Sequence, residues 1–460
     1  MEWLIDLNKR VNELAWGPPM LVALVGVGVY LTVRTRFIQF GKFALMCRET
    51  MGKMFRRGPK AEGDLTPFQA VTVAMGGTVG VGNIAGVATA IAAGGPGAAF
   101  WMLVSGLVGM ATKFAEVVLG LHFRRRAPGQ PMMGGPMMYI ERGLGRRWKW
   151  LAVLFCVFGA LAALGIGNMV QANAVAEGMR EFGVADWGTG LILIIAVGLV
   201  TVGGIKRIAQ VATFCVPFMC GLYMLAALAV ILMYAPRIPA VVVRVLTEAF
   251  TLRAAAGGAA GVGMMMAIRY GIARGVFSNE AGLGSAPMAH ATARTDHPAR
   301  QGLWGIFEVF FDTIVMCSAT ALVILLTGAW GGDKTGATLT ISAFGRAFGS
   351  GVAVPLVTFC MILTAYDTIL AWCFYGETCS AYLFGHGRAV RMIYRLAWLP
   401  FIMLGALGQL KLIWDVADTL NALMAIPNLI ALFLLGGVVV RLTRGFLAGR
   451  PYEPPGAEPA

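Results

Sequence analysis

Two glycine-rich stretches hold residues that could do chemistry in an apolar setting. The first reads GGTVGVGNIAGVATA, Gly76 to Ala90, and the second GVFSNEAGLGSAP, Gly275 to Pro287. Each carries an asparagine, Asn83 and Asn279, among its glycines. Glycine weakens a helix by roughly 1 kcal/mol against alanine. An asparagine amide in hydrocarbon needs a partner or costs several kcal/mol. A break in a membrane helix frees backbone groups, and that is tolerated only where protein encloses them. Freed N–H groups at the positive end of a half-helix hold a carboxylate, and freed carbonyls hold a cation. A third stretch, ILTAYDTILAWCFYGE, sets Thr364, Asp367 and Thr368 on one helical face at i, i+3 and i+4. Such oxygens suit a hard cation, and an ionisable residue inside a span is a functional candidate by default.

The elements that must position these residues are membrane helices. The chain has 460 residues, 58% hydrophobic and 13% charged, with mean hydropathy +0.73, which fits a polytopic membrane protein and not a soluble domain. Eleven spans are expected near 15–33, 66–93, 97–122, 149–178, 187–204, 208–235, 257–290, 301–329, 352–384, 391–410 and 413–441. The residues before the first span read as a short amphipathic helix on the membrane surface, not as a cleaved signal. The net charge is +14, yet 25 of the 37 Lys and Arg fall in alternate connections and at the C-terminal end. That pattern excludes a nucleic-acid surface, puts those loops in the cytoplasm of a cell (inner) membrane protein, and leaves the N-terminus outside and the C-terminus inside.

Counted from span two, the glycine-interrupted spans are the first and sixth of ten. They open two groups of five, which run inverted because five is odd. The expected organisation is 1–65 for the surface helix, first span and basic loop, 66–235 and 236–445 for the two repeats, and 446–460 for a disordered Pro-rich tail. Interrupted segments at matching positions in two halves point to a secondary transporter's binding site. The small-xxx-small pairs Gly76/Gly80 and Gly82/Gly86 would, alone, read as helix packing. Two clusters at repeat-related positions favour broken helices. The run GVGNIAG lacks the spacing and βαβ context of a dinucleotide fingerprint.

The motifs GTVGVGNIAGVATAI, GGPGAAFWMLVSGLVG, GGPMMYIERGLG, GIGNMVQAN, RGVFSNEAGLGSAPMAHA and NALMAIPNLIAL occur in order along nearly the whole chain. Together they resemble the alanine or glycine:cation symporter family, the sodium:alanine symporters. The resemblance implies an all-α LeuT-like fold, a 5+5 inverted repeat preceded by one extra helix. It also implies uptake of a small neutral amino acid with Na+, in some members H+, and no bound cofactor. In that reading Thr78 to Asn83 is the first unwound stretch, and N–H groups near Gly80 and Gly82 meet the substrate carboxylate, with Val79 beside them. Phe277, Ser278 and Asn279 match the second unwound stretch. Phe277 walls off a small side chain, and Asn279 holds substrate or ties the break. Gln171 contacts substrate or bonds a neighbouring helix. Trp372 closes the pocket or simply packs. The cation falls to Gly77, Thr78, Thr364, Asp367 and Thr368.

Two departures from the family pattern bear on coupling. Asp367 stands where a small hydroxyl is usual, and Val81 where threonine is usual. Asp367 then strengthens sodium binding, carries a proton, or pairs with an arginine. Glu280 is expected to bridge to Arg274 or Arg269, and Lys113 and Glu116, three apart, to form a buried pair or gate. The four histidines (122, 290, 297 and 386) read as interfacial polar residues, and seven of the eight cysteines as apolar packing. No nucleophile–base or metal-ligand spacing suggests an enzyme. Rival readings are a proton-coupled or uncoupled permease for another small substrate, and a non-transporting sensor. Alanine, glycine and serine are not separable, nor are stereoselectivity, stoichiometry and oligomeric state.

Overall fold

The computed structural model describes residues 2–54, 61–251, 262–408 and 411–455. The chain folds almost wholly into helices: α1 Glu2–Ala15, α2 Pro18–Arg34, α3 Pro67–Thr78, α4 Gly82–Gly94, α5 Gly97–His122, α6 Arg146–Arg180, α7 Asp186–Thr201 and α8 Gly204–Met233. There follow α9 Ile238–Phe250, α10 Val262–Asn279, α11 Ala286–His290, α12 Pro298–Thr327, α13 Gly336–Phe348, α14 Ser350–Phe384, α15 Arg388–Leu407 and α16 Lys411–Leu447. A two-residue hairpin, β1 Arg125–Arg126 with β2 Met132–Met133, punctuates one basic loop.

The described helices follow the order of the expected apolar segments. Among the described residues, eight helices are long and apolar enough to cross a membrane, nine when α3 and α4 count as one bent span. The other two differ in kind. Helix α7 has 16 residues, about 24 Å at 1.5 Å per residue, short of a usual hydrocarbon core. The span expected at 257–290 is divided into α10 and α11, and its first residues lie outside the described ones.

Local chemistry sets the ends. Helix α3 starts at a capping box, with Thr66 Oγ1 accepting from Gln69 N and the Gln69 side chain accepting from Thr66 N, and Pro67 at the first turn. Helix α12 ends at Gly328 in the left-handed region, φ 70°. Helix α1 does more than lie on a surface. Asn12 donates to Thr419 Oγ1 at 3.0 Å and Trp16 Nε1 to the Asp418 carbonyl at 3.1 Å, docking it on α16.

Two amphipathic helices, α9 and α13, lie between the expected spans. Each has 13 residues, too few to span, so an apolar-window reading passes over them. Both pack on the spans: Trp101 Nε1 donates to the Ala249 carbonyl at 3.1 Å, and Thr340 Oγ1 to the Ile84 carbonyl at 2.9 Å. The tail also differs from the disordered expectation. Helix α16 reaches Leu447, and Tyr452 Oη lies 3.1 Å from His122 Nδ1, while 456–460 fall outside the described residues.

Candidate functional site

Helix α3 stops at Thr78, and α4 leaves at 48° to it. The unwound part is shorter than Thr78 to Asn83, because Asn83 stitches it. Asn83 Oδ1 accepts from Gly80 N at 2.9 Å while Asn83 N donates to the Gly80 carbonyl at 3.2 Å. The Gly80 N–H, expected to face a substrate carboxylate, is therefore engaged within the chain. The other half of the amide, Asn83 Nδ2, donates to Asp312 Oδ1 at 2.7 Å.

Asp312 joins the two breaks. Its carboxylate also accepts from Ser278 Oγ at 3.0 Å and from Thr313 Oγ1 at 2.8 Å, and it is fully buried. Every one of these donors is neutral. The two breaks also touch directly: a methyl added at Gly82 would stand 3.4 Å from Ser278 Cα and 3.5 Å from Phe277 Cδ1.

The second break lies later than the family pattern suggested. Phe277, Ser278 and Asn279 form the last turn of α10, and the unwound residues are Glu280 to Ser285. Gly282 and Gly284 take φ of 95° and 83°, which a Cβ would strain. Their N–H groups both donate to Glu116 Oε1, at 3.0 and 3.1 Å. Asn428 Nδ2 reaches the same oxygen at 2.6 Å and the Gly282 carbonyl at 2.9 Å, with Tyr139 Oη on its Oδ1. Asn279 ties the break, as one of its two expected roles had it: Oδ1 accepts from Ala281 N at 2.9 Å and Nδ2 donates to Thr313 Oγ1 at 3.0 Å.

Two expected pairings and one expected placement are replaced. Glu280 does not bridge to Arg269 or Arg274; it accepts from Trp372 Nε1 at 3.0 Å and from Ser285 Oγ. Arg269 is exposed and Arg274 lies over the Phe277 ring, so α10 borders an accessible space instead of burying charge. Lys113 and Glu116 are not partners. Lys113 Nζ is 3.4 Å from Glu308 Oε1, because Glu116 is drawn to the break amides one turn away. His290 is not interfacial; it is fully buried, 2.8 Å from Glu308 Oε2 and 3.0 Å from Gln301 Nε2.

Helix α14 lies along α3. Thr368 Oγ1 donates to the Gly76 carbonyl at 2.9 Å, and Thr364 Oγ1 to the Met361 carbonyl at 2.9 Å. Asp367 is buried beside Gly76, where an added methyl would stand 3.4 Å from Asp367 Cβ. Neither Asp367 oxygen has a hydrogen-bond partner, and among the described residues no arginine pairs with it. Gly77 faces Tyr375, and the Thr78 hydroxyl and Val79 N–H bond back into α3. One turn along α14, Trp372 packs on Gly167, where a methyl would come within 2.2 Å of its Cβ. That contact brings α6 alongside, with Gln171 Nε2 on the Ile166 carbonyl at 3.0 Å and Gln171 Oε1 unpartnered.

Thus Gly82, Asn83, Phe277, Ser278 and Asn279 gather at one locus. Gly76, Gly77, Thr364, Asp367 and Thr368 gather at a second, and Trp372 connects both through Glu280. Sequence reasoning missed Asp312, Glu308 and Glu377. The first two are acids at i, i+4 within GLWGIFEVFFDTIVMC, which was signal enough. Glu377 is clamped by Arg391 at 2.7 Å and Arg395 at 2.6 Å. Wide π-turns at Gly82–Gly86, Ala163–Met169 and Phe310–Cys317 cluster beside these residues, as such turns often do at working sites.

The arrangement concentrates oxygen atoms and backbone dipoles in an enclosed, low-dielectric space, with no group of three or more His, Cys, Asp or Glu set to hold a resident metal among the described residues. Such an arrangement suits a small charged ligand. A transporter of Haemophilus influenzae is 45% identical over 96% of each chain. A sodium/alanine symporter of Methanococcus maripaludis is 45% identical over 96% of this chain and 97% of its own. A putative sodium/proton-dependent alanine carrier of Bacillus subtilis is 37% identical over 94% and 90%. In fold, the chain resembles MhsT bound to L-phenylalanine (TM-score 0.55, 12% identity, 84% and 99% covered) and a Na+-coupled sialic acid symporter (0.51, 14%, 93% and 86%). These are LeuT-fold transporters. The profile of the Sodium:alanine symporter family matches residues 1–453, and the chain belongs to that family.

Proposed function

We propose that this transporter carries a small neutral amino acid, alanine or glycine, together with Na+ into the cell. Substrate sits where the two breaks meet, among Thr78 to Asn83, Gln171, Phe277 to Asn279 and Trp372. Na+ sits between α3 and α14, at Gly77, Thr78, Thr364, Asp367 and Thr368. The observation that carries this reading is the unpartnered Asp367 carboxylate beside Gly76, with Thr368 already on the Gly76 carbonyl. A bare buried carboxylate costs several kcal/mol, and a bound cation removes that cost. The sodium/alanine symporter named among the relatives supports both substrate and ion. The basic loops support a plasma-membrane protein with its N-terminus outside.

A second reading has one observation in its favour. A carboxylate with no partner is also neutralised by a proton, which makes H+ the coupling ion. Alanine uptake into proteoliposomes, under an imposed sodium gradient and then an imposed proton gradient, separates the two. Sodium-driven uptake is the expected result; proton-driven uptake alone replaces Na+ by H+; uptake under neither sends the substrate assignment to glycine and serine.

A further inference from the structure

Away from the broken helices, a groove of about 400 Å³ opens at the basic end of the bundle, between the extra helix α2 and the last helix α16. Its rim carries Arg34, Arg36, Lys42 and Arg444, and no Asp or Glu lines it. All four cations are exposed, and among the described residues none forms an ion pair. We propose that this groove binds the headgroup of an anionic diacyl phospholipid.

Three observations argue for a lipid over a soluble anion. First, guanidinium groups match phosphate oxygens in a forked geometry, and three of the four cations are arginines. Second, exposed apolar side chains lie on the same two helices as the groove, in or next to segments apolar enough to cross a membrane. Val33, Phe37 and Phe40 are about half exposed on the α2 side, and Phe433 on α16. Tyr30 bridges the two helices, its ring 4.9 Å from Phe433 and its hydroxyl accepting from Arg34 Nη1 at 3.2 Å. A phosphate in the groove thus has acyl-chain surface immediately beside it, as at other basic pockets between membrane helices. Third, the turn that presents the cations is strained. Arg36 and Phe37 both hold positive φ, 57° and 55°, without being glycine. Such a conformation is costly for a residue with a Cβ and persists where surroundings or function demand it. It leaves Arg36 and the apolar Phe37 side by side on the outside of the bundle while Ile38 and Gln39 are buried.

The bound lipid staples the extra helix to the transport bundle. The test uses the purified full chain in neutral detergent, stripped of lipid. Its melting temperature is followed on titration with phosphatidylglycerol, phosphatidylcholine, or inorganic phosphate. Phosphatidylglycerol is expected to raise it saturably and phosphatidylcholine to leave it unchanged. Arg36→Gln with Arg444→Gln should weaken the apparent phosphatidylglycerol affinity about thirtyfold. Lys206→Gln with Arg388→Gln, in a different basic groove, should leave it unchanged. Lys42→Gln, a single exposed charge, keeps the test open if the double variant does not fold, with a loss of about fivefold. An equal response to phosphatidylcholine, or to inorganic phosphate, or an undiminished response in the Arg36/Arg444 or Lys42 variants, overturns the proposal.

Discussion

The two broken helices solve one physical problem in opposite ways. At the second break, Glu280 to Ser285, the freed groups are satisfied from within the protein. Glu116 takes two backbone N–H groups, Asn428 takes a carbonyl, and Asn279 takes a third N–H. At the first break one asparagine does most of the tying, and beside it lies a carboxylate with no partner at all. A satisfied break reads as a structural joint; an unsatisfied neighbour is the place proposed for a ligand to complete the coordination. Asp312 and Asp367 repeat the contrast as single residues. Asp312 collects three side-chain donors, from Asn83 at the first break, from Ser278 just before the second and from its neighbour Thr313, and Asp367 collects none.

That contrast is open to attack from the strongest effect downward. Glu116→Ala strips the acceptor from Gly282, Gly284 and Asn428 together. It should destabilise the protein by roughly 3–5 kcal/mol, seen as a large drop in melting temperature, with partial recovery in Glu116→Gln. A melting temperature within a degree or two of the parent would mean the second break is held some other way. Asn83→Ala removes one neutral amide, about 1–3 kcal/mol of stability. It should nevertheless abolish uptake by about a hundredfold in rate, since 2.7 kcal/mol of lost site geometry is about that factor. Unchanged kinetics would make the first break a joint like the second.

Smaller effects sharpen the picture. Asp367→Ser restores a family-like hydroxyl at the candidate ion site. If the carboxylate binds sodium, half-maximal uptake should need about tenfold more Na+, one factor of ten per 1.4 kcal/mol. If it carries a proton, uptake should instead become more sodium-dependent. Trp372→Phe removes the N–H that reaches Glu280 together with part of the buried indole, while keeping a ring carbon and the Cβ against Gly167. It should raise the KM for alanine a few-fold through about 1 kcal/mol, with a smaller fall in melting temperature than Glu116→Ala.

Much of this fold was legible because hydrocarbon admits few solutions. Long apolar runs with basic connections dictate helices, and glycine with asparagine inside a run dictates a break. The pairing of side chains was not legible. Lys113 and Glu116 share a helical face, so sequence joins them, yet the tertiary fold offers Glu116 two backbone amides and offers Lys113 a distant carboxylate, Glu308. The second break moved from Phe277–Asn279 to Glu280–Ser285 because Gly282 and Gly284 supply the positive φ that the unwound chain needs. Asp312 was visible as a charge within an apolar run, but only three dimensions place it on both Asn83 and Ser278.

The most direct measurement is equilibrium binding of radiolabelled Na+ to the purified transporter and to Asp367→Asn, with alanine present and at constant pH. Saturable binding in the parent that weakens at least tenfold in the variant is the predicted result. Equal Na+ binding by both proteins would contradict the placement of the coupling cation beside the first break.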